Sequence, residues 1–284
     1  MGAIAGTWRL PGPSPEVLDR SGIAPMVLRP ITEATAGGNA VVPAWPEIER
    51  TELDAEKLKE VWLIPQPAHS ALSGDVASRL KKSEFPGIDD KLVRVIALHD
   101  AGWGPPDAAA IQTSRGGKDR STPKCFLSQP ESLLLDAWAG SINVTEKVNA
   151  TGGYIVSRHF VAIAKARASH FKEQNRLVNF LRDEDKRQDR LAKKAGKEKE
   201  ALERLVEALQ FCDLLSLYLC CGSKAPVEFP QKVGGRPIQL EHKSDGHLQL
   251  DPNPLVGPQI FRVTAIRHPK GQQGSSALFD AVFD

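Results

Sequence analysis

The chain has 284 residues, 41% of them hydrophobic, and a formal net charge of +2, which suffices for one large domain or two small ones. The near-neutral charge gives no support for a nucleic-acid or membrane-surface protein, so neither partner is expected. No apolar run approaches the roughly 18 residues of a membrane span, and the N-terminus lacks a signal-peptide pattern. The four cysteines form no C-x-x-C pair, which favours free thiols in a reducing compartment. We therefore expect a cytoplasmic protein.

The sequence divides into three segments by composition. Residues 1–55 are rich in Pro and Gly, which predicts an extended or loosely packed segment with one short strand near residue 27. Residues 56–222 have helical periodicity and predict the core. Residues 223–284 alternate apolar and polar side chains between turn residues, which predicts three or four strands. We expect these strands to form a small β element, at 225–270, packed on a helical core.

Several predicted helices have clear ends. The segment 153–171 is strongly helical in pattern, and the last helix runs from 199 to 221 and ends near Gly222, a common C-terminal stop. Residues 182–204 carry charges of alternating sign. This pattern predicts a solvated helix pair with a turn near Gly196 rather than a surface for an acidic partner.

Four of the predicted helices each carry one His or Asp on an otherwise apolar face. In the last helix, Asp213 shares a stripe of period 3.6 with apolar residues and Ser216. A carboxylate that is buried without a partner is very costly, so Asp213 needs a cation or several donors. His69, His99 and His159 occupy comparable positions on the other three helices. We therefore expect all four side chains to point inward.

Any one of these residues alone is more simply explained as a hydrogen-bonded core residue. Together with Asp100, which directly follows His99, they form the series His…His-Asp…His…Asp. Neutral imidazole and ionised carboxylate are ligands of divalent metals. The series therefore predicts a metal centre between helices, and the ligand types leave Fe, Mn, Zn, Ni and Mg open.

The order of His69, His99-Asp100 and Asp213 resembles the H…HD…D signature of the HD-domain superfamily of metal-dependent phosphohydrolases. The chain looks more closely like a bacterial family of unknown function, DUF3891, over about residues 60–270. The resemblance implies a mainly α fold, an HD-like helical bundle with a small C-terminal β element, and it supplies no established substrate. The stretches that carry it are Ile64-Pro-Gln-Pro-Ala-His-Ser-Ala-Leu-Ser-Gly, Ala97-Leu-His-Asp-Ala-Gly-Trp, Val156-Ser-Arg-His-Phe, Leu209-Gln-Phe-Cys-Asp-Leu-Leu-Ser-Leu and Leu250-Asp-Pro-Asn-Pro-Leu.

The resemblance also implies roles for individual residues. In the HD superfamily the first His, the HD pair and the final Asp hold one divalent metal, and here these positions are His69, His99, Asp100 and Asp213. His159 would be a further ligand, or would hydrogen-bond the leaving group or a bound oxyanion. Asp100 would bridge the metal or act as a base toward the bound water, so Asp100 and His159 are the candidate catalytic residues. A metal-bound water has a pKa lowered toward neutrality and can attack a phosphorus centre.

Side chains next to these positions are candidates for substrate binding. Arg158 could meet a phosphate or simply be solvated on the flank of its helix. Gln66 and Trp103 could line a pocket, although Trp103 could equally be part of the core. The Gly-rich segment 101–135 is long enough to be functional or mobile. It contains three basic residues that would form either a substrate-facing lid or a solvated loop: Lys118, Arg120 and Lys124.

The leading hypothesis for function is a metal-dependent hydrolase that acts on a small phosphorylated molecule, and the choice of phosphate rests on superfamily analogy. A second hypothesis is an HD-fold diiron oxygenase, which needs two more His residues between the HD pair and the last Asp. His159 and His170 are the candidates, but they lie about 16 Å apart along a straight helix, which favours one metal. A third hypothesis is a non-catalytic metal-binding sensor or scaffold. The sequence leaves the oligomeric state open.

Overall fold

The computed structural model describes residues 25–30, 61–109, 124–126, 129–172, 174–222, 226–268 and 276–284. Within these ranges helices and one mixed sheet share a single hydrophobic core. The α-helices are α1 Gln66–Ser78, α2 Asp90–Ala97, α3 Glu131–Val148, α4 Ala150–Ala166, α5 Gln174–Ala195 and α6 Lys199–Cys221. The strands are β1 Pro25–Pro30, β2 Val61–Ile64, β3 Lys124–Cys125, β4 Val227–Val233, β5 Arg236–His242, β6 Leu248–Asp251, β7 Gln259–His268 and β8 Ser276–Phe283.

The helix ends follow from local chemistry. Asp89 caps α2 by accepting a hydrogen bond from the backbone N–H of Leu92 at 2.9 Å, which satisfies a donor that the first turn leaves free. Asn149 separates α3 from α4 and caps the second of them through Gly152 N–H. Gly196 and Gly222 follow α5 and α6 with φ of +61° and +67°, a conformation that favours glycine at helix C-termini. The predicted turn near Gly196 and the end of the last helix are confirmed.

Helix α6 connects the helical part of the molecule to the sheet. It contacts the helices α1 and α4 and the strands β1 and β4. Phe211 of α6 stacks on Phe85 with ring centroids 5.9 Å apart, and it meets Phe229 of β4 edge-on at 5.2 Å. All three rings are buried. Their contacts hold α6 against β4 and against the segment that contains Phe85.

The sheet is larger than the sequence predicted. Its eight strands have the order β3-β1-β2-β7-β8-β6-β5-β4. The β1–β3 and β6–β8 pairs are parallel and the other neighbours are antiparallel. The strands expected between 223 and 270 are confirmed as β4 to β7. A cis peptide joins Asp251 to Pro252 directly after β6.

The expected mainly α fold, a helical bundle with a small C-terminal β element, is wrong. Strands from the N-terminal quarter of the chain complete the sheet, and β2 lies within the segment that was expected to be helical, between β1 and β7. Val61–Ile64 is a short continuous apolar run, for which periodicity does not distinguish a buried strand from a helix. Strand β8, at Ser276–Phe283, was also missed.

The division into segments 1–55, 56–222 and 223–284 stays a prediction. Most of the N-terminal segment lies outside the described residues, apart from β1, which coincides with the strand expected near residue 27. Among the helices that the structure describes, none combines the length and the apolar character needed to cross a membrane.

Candidate metal centre

Four predicted ligands come together between α1, α2 and α6. His69 lies on α1, His99 and Asp100 follow the end of α2, and Asp213 lies on α6. Each offers one nitrogen or oxygen atom, and these atoms all lie within 4.8 Å of one another. All four side chains are buried. The helical stripes that predicted inward-pointing side chains therefore converge on one point of the core.

The distances inside this cluster suit a single ion. Asp213 Oδ1 lies 2.8 Å from His69 Nε2 and 3.1 Å from His99 Nε2, and Asp100 Oδ2 lies 3.7 and 3.6 Å from the same two nitrogens. Ligand atoms about 2.1 Å from one ion are separated by roughly 3.0 to 3.4 Å in octahedral or tetrahedral sites. The observed separations bracket this range, so small side-chain adjustments suffice to coordinate a divalent metal.

Hydrogen bonds behind the cluster orient both imidazoles. His99 Nδ1 lies 2.8 Å from the carbonyl oxygen of Ile96, and because a carbonyl only accepts, this nitrogen carries the proton. The Ser216 hydroxyl lies 2.8 Å from both the carbonyl oxygen of Asp213 and His69 Nδ1, so in the His69 tautomer with the proton on Nδ1 it accepts from His69 and donates to the carbonyl. Both rings therefore direct Nε2 into the cluster, an arrangement typical of metal-ligating histidines.

A close backbone contact fixes the turn that carries the His99-Asp100 pair. Gly102 packs against α3 so tightly that a Cβ there would lie 2.0 Å from the carbonyl oxygen of Ala137. The Gly102 N–H donates to Ser141 Oγ at 2.9 Å. Only glycine permits this approach, so Gly102 holds the turn that follows Asp100 against α3.

The electrostatics of the cluster call for a positive charge. Burial raises the pKa of Asp213, but hydrogen bonds from His69 and His99 outweigh it and hold that pKa well below its usual range. Burial raises the pKa of Asp100 more than the neighbouring imidazoles lower it. For His99, burial lowers the pKa, but Asp100 and Asp213 raise it to about 9. In the absence of a metal ion, a proton on His99 partly balances the negative charge of Asp100 and Asp213. A bound divalent ion would supply this positive charge in place of the proton.

His159 lies beside the cluster and outside the four-residue group. Its Nε2 is 3.7 Å from Asp213 Oδ2, and its ring stands edge-on to His99 with centroids 5.7 Å apart. Burial, together with the nearby imidazoles, lowers the pKa of His159 to about 4. It is therefore a neutral imidazole at neutral pH, in reach of a fifth position on the cluster.

A cavity of about 60 Å³ opens beside His69, Asp100, His159 and Asp213. Two of the predicted substrate-binding residues, Gln66 and Trp103, line it. The Trp103 indole also hydrogen-bonds the Asp100 side chain, so this residue both packs in the core and holds a ligand. The remaining lining is mostly apolar, with one buried arginine: Phe126, Leu134, Trp138, Phe160, Ile163, Leu214, Leu217 and Arg167.

Arg158 does not lie at this cavity. Its Nη2 bonds Glu203 Oε2 at 2.9 Å, and its guanidinium lies near the Tyr154 ring. Arg158 and His159 are successive residues of a helix and so face different directions, and a phosphate contact of Arg158 stays a prediction. The other basic candidates, Lys118 and Arg120, lie outside the described residues, as do the side chains of Lys124 and His170.

Sequence reasoning missed three polar residues around the site. Arg167 lies eight positions after His159, so the i, i+4, i+8 series with Ile163 was a usable signal. Ser216 was part of the Asp213 stripe, and its role as an acceptor for His69 was not inferred. Asp107 accepts a hydrogen bond from the Gln66 N–H through its Oδ2 at 2.7 Å. No pattern in the sequence indicated this contact. Burial raises the pKa of Asp107 to about 8.

Comparison with known proteins gives one match. The sequence model of a family described as "Protein of unknown function (DUF3891)" matches residues 54–266, and the predicted family is thereby confirmed. No curated protein and no solved structure matches significantly. None of these comparisons supports the wider assignment to the HD-domain superfamily.

Proposed function

Because the chain belongs to the DUF3891 family, whose function is unknown, we propose from the site itself that the protein is a metal-dependent hydrolase. One divalent ion would be held by His69, His99, Asp100 and Asp213. The observation that carries this proposal is that their four ligand atoms converge within 4.8 Å, next to a cavity that three of the four residues line.

The surrounding residues suit this chemistry. A bound divalent ion would lower the pKa of a coordinated water toward neutrality and balance charge on a reacting oxyanion. Asp100 faces the cavity and is held by Trp103, so it can ligate the ion or take a proton from the attacking water. His159 faces the same cavity beside Asp213, where it can complete the coordination or hydrogen-bond the leaving group.

A small phosphorylated molecule remains the proposed substrate. The order of the ligands along the chain, His…His-Asp…Asp, resembles that of HD phosphohydrolases, and the choice of a phosphorylated substrate rests on this analogy. The buried Arg167 on the cavity wall adds a positive charge suited to a phosphoryl or carboxyl group. The mostly apolar wall also favours a second candidate, an iron-dependent oxygenase acting on a small apolar substrate. Among the described residues one group of candidate ligands is found, which supports one ion rather than two.

The test is metal analysis of protein purified without chelator, followed by assays on a panel of small phosphomonoesters. We expect about one divalent ion per chain and metal-dependent phosphate release. Asp100→Asn should abolish release, whereas Glu184→Gln, a buried carboxylate changed elsewhere, should not. Two irons per chain with O₂-dependent turnover would instead identify an oxygenase. Tight metal without turnover on any substrate would identify a sensor or scaffold.

A further inference from the structure

One buried amide on the cavity wall has an unused hydrogen-bond acceptor. Gln66 is 1% exposed and lines the cavity beside the candidate metal centre. Among the residues that the structure describes, its Oε1 has no hydrogen-bond partner. Buried acceptors are nearly always satisfied by protein, water or a ligand, because an unsatisfied one is costly. A molecule in the cavity that donates a hydrogen bond to Gln66 would therefore be held there.

The position of Gln66 places this acceptor next to the candidate metal ligands. Gln66 is the first residue of α1 and precedes His69 by three positions. The two side chains are therefore neighbours on one helix face, with Cβ atoms about 5–6 Å apart. The backbone N–H of Gln66 donates to Asp107 Oδ2 at 2.7 Å, which holds the start of α1 in place. A molecule bound at Gln66 thus lies beside the cluster.

A second buried glutamine shows what distinguishes Gln66. Gln231 of β4 is 4% exposed, and its Oε1 also lacks a partner within the described part of the chain. Gln231 is not among the residues that line this cavity. An unsatisfied amide oxygen therefore does not by itself indicate a ligand site. The adjoining cavity is what makes Gln66 accessible to a ligand.

The rest of the wall restricts the kind of molecule that can reach this acceptor. The lining beyond the metal cluster is mostly apolar, and the rings of Trp138 and Phe160 stack there with centroids 5.5 Å apart. Arg167, which also lines the cavity, already has an interaction within the chain. An apolar wall disfavours charged groups such as an ammonium, so a neutral hydroxyl is the better donor. The volume of about 60 Å³ holds roughly four to six water-sized groups.

We propose that this cavity binds a short, uncharged organic group that carries a hydroxyl. The hydroxyl donates to Gln66 Oε1, and the carbon atoms pack against Trp138, Phe160 and Ile163. Gln66 is thus a specificity-determining residue, which selects ligands with a donor over those without one. Under the proposed function, on which this last step rests, the same group is the organic part of a phosphoester whose phosphoryl group lies at the metal.

NMR titration of the full chain with butan-1-ol, diethyl ether and cyclohexylmethanol tests the proposal. Butan-1-ol and diethyl ether are isomers, but the ether has no hydrogen-bond donor. Butan-1-ol should bind roughly 5- to 100-fold more tightly, the range expected when a buried acceptor is left unsatisfied. Cyclohexylmethanol should bind more weakly than butan-1-ol because its ring exceeds the cavity. Equal or tighter binding of the ether would overturn the donor site, and equal or tighter binding of cyclohexylmethanol would overturn the size limit.

A matched pair of variants assigns the preference to one glutamine. Gln66→Met keeps the length of the side chain but removes the acceptor, so the preference for butan-1-ol over diethyl ether should disappear. Gln231→Met makes the same change away from the cavity and should keep the preference. Gln66→Glu retains an acceptor oxygen and should also keep it, which covers the case in which Gln66→Met does not fold. An unchanged preference in Gln66→Met, or its loss in Gln66→Glu, would refute the assignment.

Titration of chelator-treated protein separates this proposal from the proposed function. The preference for butan-1-ol should persist without metal, because Gln66 belongs to the chain and needs no ion to accept a hydrogen bond. If purified protein holds no metal but still prefers butan-1-ol, the hydrolase proposal fails and the hydroxyl site stands. If butan-1-ol binding disappears with the metal and is unchanged in Gln66→Met, the alcohol is a metal ligand and the hydroxyl site is refuted.

Discussion

Two regions of the molecule bury a carboxylate, and they do so in opposite ways. Asp213 of α6 is surrounded by the Nε2 atoms of His69 and His99. Glu184 of α5 accepts from Ser157 Oγ at 2.8 Å and lies 3.4 Å from Arg187 Nε. The pKa of Asp213 is lowered by its hydrogen bonds despite burial, whereas burial raises the pKa of Glu184. Burial alone therefore does not identify a functional carboxylate; its partners do.

The two regions also differ in what lies beyond the carboxylate. Arg187 contacts both Glu184 and Glu146. Glu146 also forms an ion pair with Arg190, which is exposed to solvent. Asp213 instead contacts the imidazoles of His69 and His99, and it lines the cavity. The first arrangement stabilises the packing of α5 on α3 and α4, and the second concentrates ligand atoms. Changes made in parallel at both regions test this distinction.

The largest expected effect is the loss of metal in Asp213→Asn. The amide nitrogen cannot act as a ligand, and the remaining amide oxygen carries no charge to balance the ion. We expect metal affinity to fall by more than about 100-fold, beyond the loss typical of residues that only support a ligand. Metal titration monitored by calorimetry, with circular dichroism to verify folding, measures this change.

Glu184→Gln is the control, because it makes the same chemical change at an equally buried position. Its metal affinity should equal that of the unmodified protein. If both variants lost metal to the same degree, the effect would arise from general destabilisation. If neither lost metal, Asp213 would not be a ligand.

The next largest effect is expected at Gly102. An alanine there places Cβ at 2.0 Å from the Ala137 carbonyl oxygen, so the turn carrying Asp100 has to move away from α3. Overpacking of this kind typically costs about 1–3 kcal/mol. Urea denaturation of Gly102→Ala measures the loss of unfolding free energy, and metal titration reports the displacement of Asp100.

Gly104→Ala is the matched change two residues later. A Cβ at Gly104 meets only Pro67 Cγ, at 3.9 Å, and the backbone has helical angles. Alanine should be neutral there or stabilise by about 0.4–1 kcal/mol through the unfolded state. Equal destabilisation by both substitutions would contradict the close contact with α3.

The two glycines also illustrate what the sequence alone could reveal. The inward orientation of His69 and Asp213 was predictable because helical periodicity assigns a face to each residue, whereas His99 lies two residues beyond the end of α2. The long-range pairing of β2 with β1 and β7 was not predictable, because a four-residue apolar run carries no signal of its partner. Contacts such as that of Gly102 with α3 depend on packing between segments far apart in the chain, and composition does not encode them.

At the candidate site, too, local features were predictable from sequence and long-range packing was not. Ligand types and their spacing along helices are local properties, so the four candidate ligands could be proposed from sequence. Arg158 was chosen because it neighbours His159 in sequence, yet successive residues of a helix diverge by about 100°. Arg167, eight residues further along, lines the cavity instead. Residues that line the same cavity as His159 are better sought at helical spacing than at adjacent positions.

A smaller effect is expected from removing the hydroxyl behind His69. In Ser216→Ala the His69 Nδ1–H loses its acceptor at 2.8 Å, so the ring is held less firmly with Nε2 toward the cluster. We expect metal affinity to fall about 10-fold. The matched change is Ser157→Ala, which removes the hydroxyl that bonds Glu184 and should leave metal affinity unchanged. Unchanged affinity in both variants would show that Ser216 does not orient the ligand.

The smallest expected effect concerns the pH dependence of stability at Glu184. Burial raises the pKa of this carboxyl group above its usual value, so the folded chain binds the proton more tightly than the unfolded chain. The stability that the protonated group contributes is full below the unfolded-state pKa and is lost as the pH rises through the folded-state pKa. Glutamine does not titrate, so Glu184→Gln should gain unfolding free energy relative to the unmodified protein as the pH rises above the unfolded-state pKa of about 4.3. Urea denaturation of both proteins at each pH measures this difference, in which the titration of all other groups cancels. If the difference in unfolding free energy became smaller as the pH rises, the pKa of Glu184 would be lowered and not raised. Arg187 and Ser157 would then stabilise the ionised form of Glu184, as His69 and His99 do for Asp213.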